Sequence, residues 1–345
     1  MPRHYPYPIK IAGGLGSPYS IKMRAVLRYR RFPHQWVYRN SSFDDLPTPS
    51  VLLLPALSFP DADGSYPDAM VDSSPLIMRL EELEPDRSLV PVDPVVAFID
   101  YLLEDFGDEW VTKAMYHYRW FYDLDVAKAR VLLPLDLDQQ VPSERLEQFS
   151  DYITDRQKGR MALVGSTEAN RPIIEESYER LLDLLAARIC ELPFLLGSRP
   201  GRGDFGIFGQ LSQLIGFDPV PRAIAEKRAP RVVHWTMAMD DLGWLPTKGD
   251  GGWIDRADLG RALGPLLEEM GATYAPFMLA NSEALATGAS EMVCVIGGRE
   301  YRQDPFKYQG KCLEWLRHEY AKFSEPDRVF VESLIEGTGL ENLFS

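Results

Sequence analysis

The stretch Gly13-Gly14-Leu15-Gly16-Ser17-Pro18-Tyr19-Ser20 decides how this chain is read. It follows a short apolar segment, Ile9-Lys10-Ile11-Ala12, and opens a helical pattern over residues 19–31. The glycines supply a loose turn between the two. Ser17 falls at the N-cap and Pro18 at the first helical position, where a fixed φ and a missing N–H do no harm. Such a corner presents backbone donors and the positive end of a helix dipole, which suits an anion. The Ser17 hydroxyl adds one movable donor, although the same residue also reads as a plain cap.

Outward from that corner, residues 9–84 alternate short strands and helices. Phe32-Pro33 stops the first helix, because a residue before proline avoids the helical region. Trp36-Val37-Tyr38 reads as a second strand and residues 39–50 as a polar loop or short helix. Residues 51–59 contain a strand interrupted by Pro55, which argues for an edge or a special turn. Asp61-Ala62-Asp63-Gly64 is a turn signal. Met70-Val71 is a brief strand, and residues 75–84 form a helix with Leu76, Leu80 and Leu83 on one face, capped by Ser73 or Ser74. The order β-α-β, loop, β-β-α predicts a small mixed sheet covered by helices.

Pro85, Pro91 and Pro94 mark a linker over residues 86–94. Residues 95–242 are helical almost throughout: 95–123 as one long helix or a bent pair, then 144–161, 173–191, 204–215 and 232–242. Long helices with short polar loops indicate a bundle. A Gly-rich opening (Gly249, Gly251, Gly252) leads to helices near 258–270, 274–286, 308–323 and 326–336, with a strand at 292–296. The expected organisation is an α/β domain over 1–86, an all-α domain over 95–245 and a mostly helical C-terminal extension over 250–345.

The chain of 345 residues has 37 basic and 51 acidic residues, a net charge of -14. That balance argues against nucleic acid or an anionic membrane as main partner, so an anionic ligand needs a local cationic pocket. Cys190, Cys294 and Cys312 are scattered and lack metal-ligand spacing, which fits a reducing compartment. No apolar run nears the ~18 residues of a membrane helix, and the first residues lack the apolar core of a signal peptide. The expected location is cytoplasmic. The histidines at 4, 34, 117, 234 and 318 form no metal or triad spacing, and no metal is expected. Gly201-Arg202-Gly203-Asp204-Phe205-Gly206 matches G-x-G-x-x-G, but no strand and no βαβ unit frame it. Gly201 and Asp204 instead read as the capped start of a buried helix.

In order and spacing over residues 9–242, the sequence resembles the cytosolic glutathione transferase superfamily, which joins a thioredoxin-like domain to an all-helical one. Three motifs carry the likeness. Ser17-Pro18-Tyr19-Ser20 with Lys22 and Arg24 resembles the family's first helix, with Ser17 where glutaredoxins and omega-like members have Cys. Leu54-Pro55-Ala56-Leu57 resembles the cis-proline strand, whose backbone before the proline pairs with the cysteinyl part of glutathione. Val71-Asp72-Ser73-Ser74 resembles the acid-plus-serine pair that grips the γ-glutamyl group. Asp72 suits the ammonium there, while the Ser73 hydroxyl and helix end suit the carboxylate.

The resemblance implies glutathione as co-substrate, a small hydrophobic electrophile and a homodimer. The chemical task is to hold the glutathione sulfur as thiolate. A free thiol has a pKa of about 8.5, lowered at helix N-termini. The Ser17 hydroxyl and the helix end together could lower it by about one or two, each needing about 1.4 kcal/mol. Ser17 is therefore the expected catalytic residue, with Tyr19 and Ser20 as rival hydroxyls. With serine at both positions a dithiol redox cycle is not available, and transfer, addition or lyase chemistry is expected. Tyr116, Trp120 and Phe121 are candidates to line the electrophile pocket, with Tyr274 and Phe277 covering it from the extension. Arg119 is a solvent-facing residue or an anionic contact. A non-catalytic glutathione-binding or scaffold protein of the same fold is the alternative.

Overall fold

The computed structural model describes residues 7–39, 41, 44–136, 138–247 and 249–345. The expected start of the first domain and His4, and residues 40, 42 and 43 of the polar loop, lie outside the described residues. The N-terminal region contains β1 (Ile9–Ala12), α1 (Pro18–Tyr29), β2 (His34–Val37), β3 (Ala56–Ser58), β4 (Met70–Val71) and α2 (Ser73–Leu83). The sheet order is β2-β1-β3-β4. β1 pairs parallel with β2, Ile11 opposite Trp36, and antiparallel with β3, Ile11 opposite Leu57. Being central, β1 buries Ile9, Ile11 and Ala12, and Met23, Val26, Leu76 and Leu80 of the two helices are fully buried. This is a thioredoxin-like α/β domain. The strand expected over 51–59 shrinks to β3, because Pro55 has no N–H for a ladder and pairing begins only after it. The Leu54–Pro55 peptide is cis.

A mostly helical region follows. α3 (Pro94–Phe106) and α4 (Thr112–Phe121) are joined by a π turn at Gly107–Val111 into one continuous helix. Gly107 sits where α8 (Arg202–Leu214) comes closest: a Cβ there would lie 2.6 Å from the Gly206 backbone. α5 (Asp123–Leu132), α6 (Ser143–Lys158), α7 (Arg171–Glu191), α9 (Pro219–Arg228) and α10 (Pro230–Met239) complete the region. α5 and α9 were not expected: α5 has weak apolar periodicity, and Pro219 and Pro221 suggest a loop although prolines fit a helix's first turn. α8 is the buried centre, with Phe205, Ile207, Leu211 and Leu214 wholly enclosed.

In the extension, the two helices expected over 258–286 are one, α11 (Leu259–Thr287), running through Pro265 and Pro276. The strand at 292–296 is β5 (Met292–Ile296), paired antiparallel with an unanticipated β6 (Arg299–Gln303). Gly297 and Gly298 both have positive φ (57° and 76°) and turn the hairpin, which is the geometry a two-residue hairpin loop requires. α12 (Lys307–Ala321) and α13 (Glu325–Ile335) follow. One contiguous set of buried side chains runs from Ile11 through Phe106 and Phe208 to Tyr274, Leu313 and Leu343, so the extension shares its core with the rest.

Candidate functional site

A cavity of about 390 Å³ lies where the first domain, the α3–α4 helix and the extension meet. Its first-domain wall is Tyr19, Leu54, Pro55, Asp72 and Ser73. Leu54 and Pro55 arrive there because the chain turns into β3, and Asp72 because β4 ends one residue before α2. Asp72 is the N-cap of α2 with φ 80° and ψ 115°, a backbone conformation costly for a residue with a Cβ. That conformation aims its carboxylate away from α2, and it makes no side-chain cap bond. Asp72, rather than Ser73 or Ser74, is thus the capping position. The Ser73 hydroxyl accepts from Lys22 Nζ at 3.1 Å, and the Ser74 hydroxyl donates to Glu104 at 3.0 Å.

The helical wall carries Tyr101, Asp105, Asp108, Glu109, Lys113 and Tyr116. Their spacing is one helix face, and the π turn brings both Asp108 and Glu109 onto it; such turns are common at functional sites. Lys22, completely buried, reaches Asp108 at 2.6 Å and Glu104 at 2.8 Å. Burial disfavours the Lys22 ammonium, but the pull of Asp108 and Glu104 outweighs it and raises its pKa. Burial pushes Asp108 up to about 7, with Lys22 opposing. Burial and the Glu109 charge raise Asp105, which accepts the Tyr274 hydroxyl. Burial raises Glu109 as well, against the pull of Lys113. Burial pushes Lys113 down to about 7. Lys22, Asp108 and Lys113 were not singled out from sequence as site residues. For Lys22 the available signal was a charge on the otherwise apolar face of α1.

The roof belongs to the extension: Gln303 from β6, Phe306, and Tyr308, Gln309, Cys312 and Trp315 from α12. The Tyr308 hydroxyl donates to the Asp72 carboxylate at 2.6 Å. Cys312 points its thiol at Glu109, 3.7 Å away; burial and the surrounding carboxyls push that thiol far up, so it is not a thiolate. Tyr274 and Phe277 do not cover the cavity. Both are fully buried, Phe277 packing on Trp110 and Tyr301.

The structure therefore gathers Tyr19, Leu54, Pro55, Asp72, Ser73 and Tyr116 around one space and leaves Ser17, Ser20 and Trp120 outside it. Trp120 is buried among Val126 and Ala129, away from the cavity. Ser20 is fully buried and its hydroxyl accepts from Gly14 N at 3.3 Å. Ser17 is the N-cap of α1, accepting from Ser20 N at 3.3 Å. The corner beside it does hold an anion, but an internal one. Asp136 accepts from the amides of Leu15 (2.9 Å) and Gly16 (2.7 Å), and Leu133 packs over Gly16. Arg119 is buried, not solvent-facing: it grips Asp218 through Nε and donates to the Gly16 carbonyl at 2.5 Å. The hydroxyl that faces the cavity is that of Tyr19, donating to the Asp108 carbonyl at 2.9 Å. Burial and the nearby Glu109 and Asp108 hold this phenol well above its ordinary pKa, so it stays a donor.

Residues 13–88 match the family model described as glutathione S-transferase, N-terminal domain. Over these residues the chain is similar to that domain. No curated protein sequence matches the chain. Among solved structures, the chain is similar to a glutathione S-transferase from Methylobacterium radiotolerans, crystallised with glutathione sulfonate, at 16% identity. The match covers 68% of this chain and 90% of that one, with a TM-score of 0.40. A Tau class glutathione S-transferase from mango is 16% identical over 70% of this chain and 93% of that one, TM-score 0.40. Maleylpyruvate isomerase from Pseudomonas aeruginosa PAO1 is 15% identical over 67% and 95%, TM-score 0.30. The first-domain wall of the cavity comes from the segments just before β3 and just after β4 and from the N-terminal ends of α1 and α2, all inside the matched residues. Among the described residues, no helix is long and apolar enough to cross a membrane, and no cluster of His, Cys, Asp and Glu is arranged to hold a metal.

Proposed function

We propose that the cavity binds glutathione and that the protein is a glutathione transferase-like enzyme acting on a small hydrophobic electrophile. The observation that carries this reading is the convergence of Leu54-Pro55 and Asp72-Ser73 on one space within the matched domain. The Asp72 carboxylate takes the γ-glutamyl ammonium, displacing or sharing the Tyr308 hydroxyl. The Ser73 hydroxyl, backed by Lys22, and the α2 N-terminus receive the γ-glutamyl carboxylate. The Leu54 backbone pairs with the cysteinyl segment. The apolar face formed by Tyr116, Leu163, Val164 and Phe306 takes the electrophile.

The hydroxyl offered to the sulfur is that of Tyr19. It turns from the Asp108 carbonyl to the thiolate and supplies a hydrogen bond to the charged form, which lowers the thiol pKa. Ser17 serves this role only if Leu133 and Asp136 withdraw from the corner. The seating of Asp136 on the Leu15 and Gly16 amides favours a second reading, a glutathione-binding protein without turnover. The cytoplasmic location and the homodimer carry over as part of the proposal.

Calorimetric titration with glutathione, followed by turnover with an aryl halide for wild type, Tyr19→Phe and Ser17→Ala, separates the readings. Saturable binding, with turnover that Tyr19→Phe lowers at least tenfold and Ser17→Ala leaves within twofold, supports the enzyme. Binding without turnover supports the second reading, and no binding removes both.

A further inference from the structure

Two lysines are buried beside the cavity, and they differ in how their protons are used. Lys22 has three acceptors, Ser73, Glu104 and Asp108. Lys113, 3% exposed, has one hydrogen-bond acceptor, Gln303 Oε1 at 2.6 Å. Its ammonium otherwise rests over the Phe277 ring, 4.3 Å from the centroid. It forms no ion pair among the described residues, whereas an ammonium has three protons to place. A buried charge in this condition is expensive unless something pairs with it.

The carboxyls around it are already engaged. Asp108 holds Lys22, Asp105 takes the Tyr274 hydroxyl, Asp72 takes the Tyr308 hydroxyl, and Glu109 faces the Cys312 thiol, acting on Lys113 by charge without forming an ion pair with it. Lys113, with one neutral hydrogen-bond acceptor, sits at the junction of α4 and the β5–β6 hairpin, in the cavity lining that also carries Gln303.

We propose that Lys113, steadied by Gln303, is the recognition point for a carboxylate on the second substrate, so that the cavity selects aromatic or unsaturated carboxylic acids over their neutral isosteres. The inference rests on the reading of this cavity as a substrate site, and it names the substrate class. Lys113 is a specificity-determining residue: it pairs with the non-reacting end of the ligand and so orients the reacting end toward the first-domain wall. Gln303 holds the ammonium with one neutral acceptor, which leaves its charge for the ligand.

The test is a pair of probes of equal shape, para-nitrobenzoate and para-nitrobenzamide, titrated calorimetrically into the full chain. Wild type is expected to bind the benzoate at least tenfold tighter. Lys113→Met should bring the two within twofold of each other, and Lys113→Arg should keep a preference of severalfold. Gln303→Glu places an internal carboxylate on the ammonium and should also abolish the preference, which keeps the proposal testable if Lys113→Met does not fold. Equal binding of both probes by wild type, or a preference that survives Lys113→Met or Gln303→Glu, overturns it. Glutathione affinity measured on the same wild-type sample is a separate number. Its absence would refute the glutathione reading while the probe preference still reports on Lys113.

Discussion

Asp72 shows most directly how one residue serves both fold and site. Its positive φ is tolerated because β4 and α2 are both anchored, and the return is a carboxylate directed into the cavity. Asp72→Asn keeps a residue that accepts left-handed backbone but removes the charge. It should weaken glutathione binding at least tenfold by calorimetry while leaving the far-ultraviolet circular dichroism unchanged. Gly201 is a second informative residue. Ser and Thr are more usual than Gly at an N-cap, and the structure explains the glycine: a Cβ on Gly201 would stand 2.2 Å from Asp100 Oδ1. Asp100 meanwhile caps the amides of Arg202 and Gly203, both at 2.9 Å, and Asp204 takes those of Gly201 and Leu195. Gly201→Ala should therefore destabilise the protein by about 1–3 kcal/mol, the usual cost of overpacking, seen as a lower urea midpoint. An unchanged midpoint would contradict this packing. The capping role of Gly201 and Asp204 was legible in the sequence. The burial of Arg119 was not, since its partner Asp218 lies far along the chain.

At the scale of elements, the α3–π–α4 helix is the site's spine, and α1 is tied to it through Lys22. The periodic pattern over 95–123 predicts one long helix or a bent pair but not the π turn, because an inserted residue shifts the face without changing composition. Lys22→Met leaves Asp108 buried without its cation and Glu104 with Arg202 alone at 3.6 Å, and loss of one partner of a buried pair costs about 3–5 kcal/mol. The pH dependence has a definite sign. Burial raises Glu104, but Lys22 and Arg202 outweigh it and hold the carboxyl below its ordinary value. A depressed carboxyl stabilises the fold above its unfolded pKa of about 4.3, and that contribution fades as pH falls through the folded value. The stability difference between wild type and Glu104→Gln should thus be largest above about pH 4.3 and shrink in more acid solution. A difference independent of pH would contradict the pairing.

Over the whole molecule, the extension is what sequence reasoning described least well. Its helices were visible from their periodicity, but β6 is a polar run, Arg299-Glu300-Tyr301-Arg302-Gln303, that only its glycine turn could announce. That the extension would roof the cavity was expected of Tyr274 and Phe277; Phe306, Tyr308 and Trp315 do it instead. The thioredoxin-like order and the motifs at Pro55 and Asp72 were legible because they are local in sequence. The closure of the Ser17 corner by Asp136 was not, because it joins segments about 120 residues apart. Since one core spans all regions, calorimetry should show a single unfolding transition, and two separated transitions would contradict that continuity. Tyr308→Phe removes the extension's hold on Asp72 and should tighten glutathione binding severalfold by titration. Weaker binding would mean that Tyr308 helps to grip the ligand.

Where the tripeptide lies is the central question for this cavity, and a crystal structure with glutathione bound reads that directly. The prediction is the γ-glutamyl ammonium against Asp72, the cysteinyl amide paired with the Leu54 backbone and the sulfur toward Tyr19. Glutathione seated elsewhere, or a cavity that stays closed to it at saturating concentration, would contradict it.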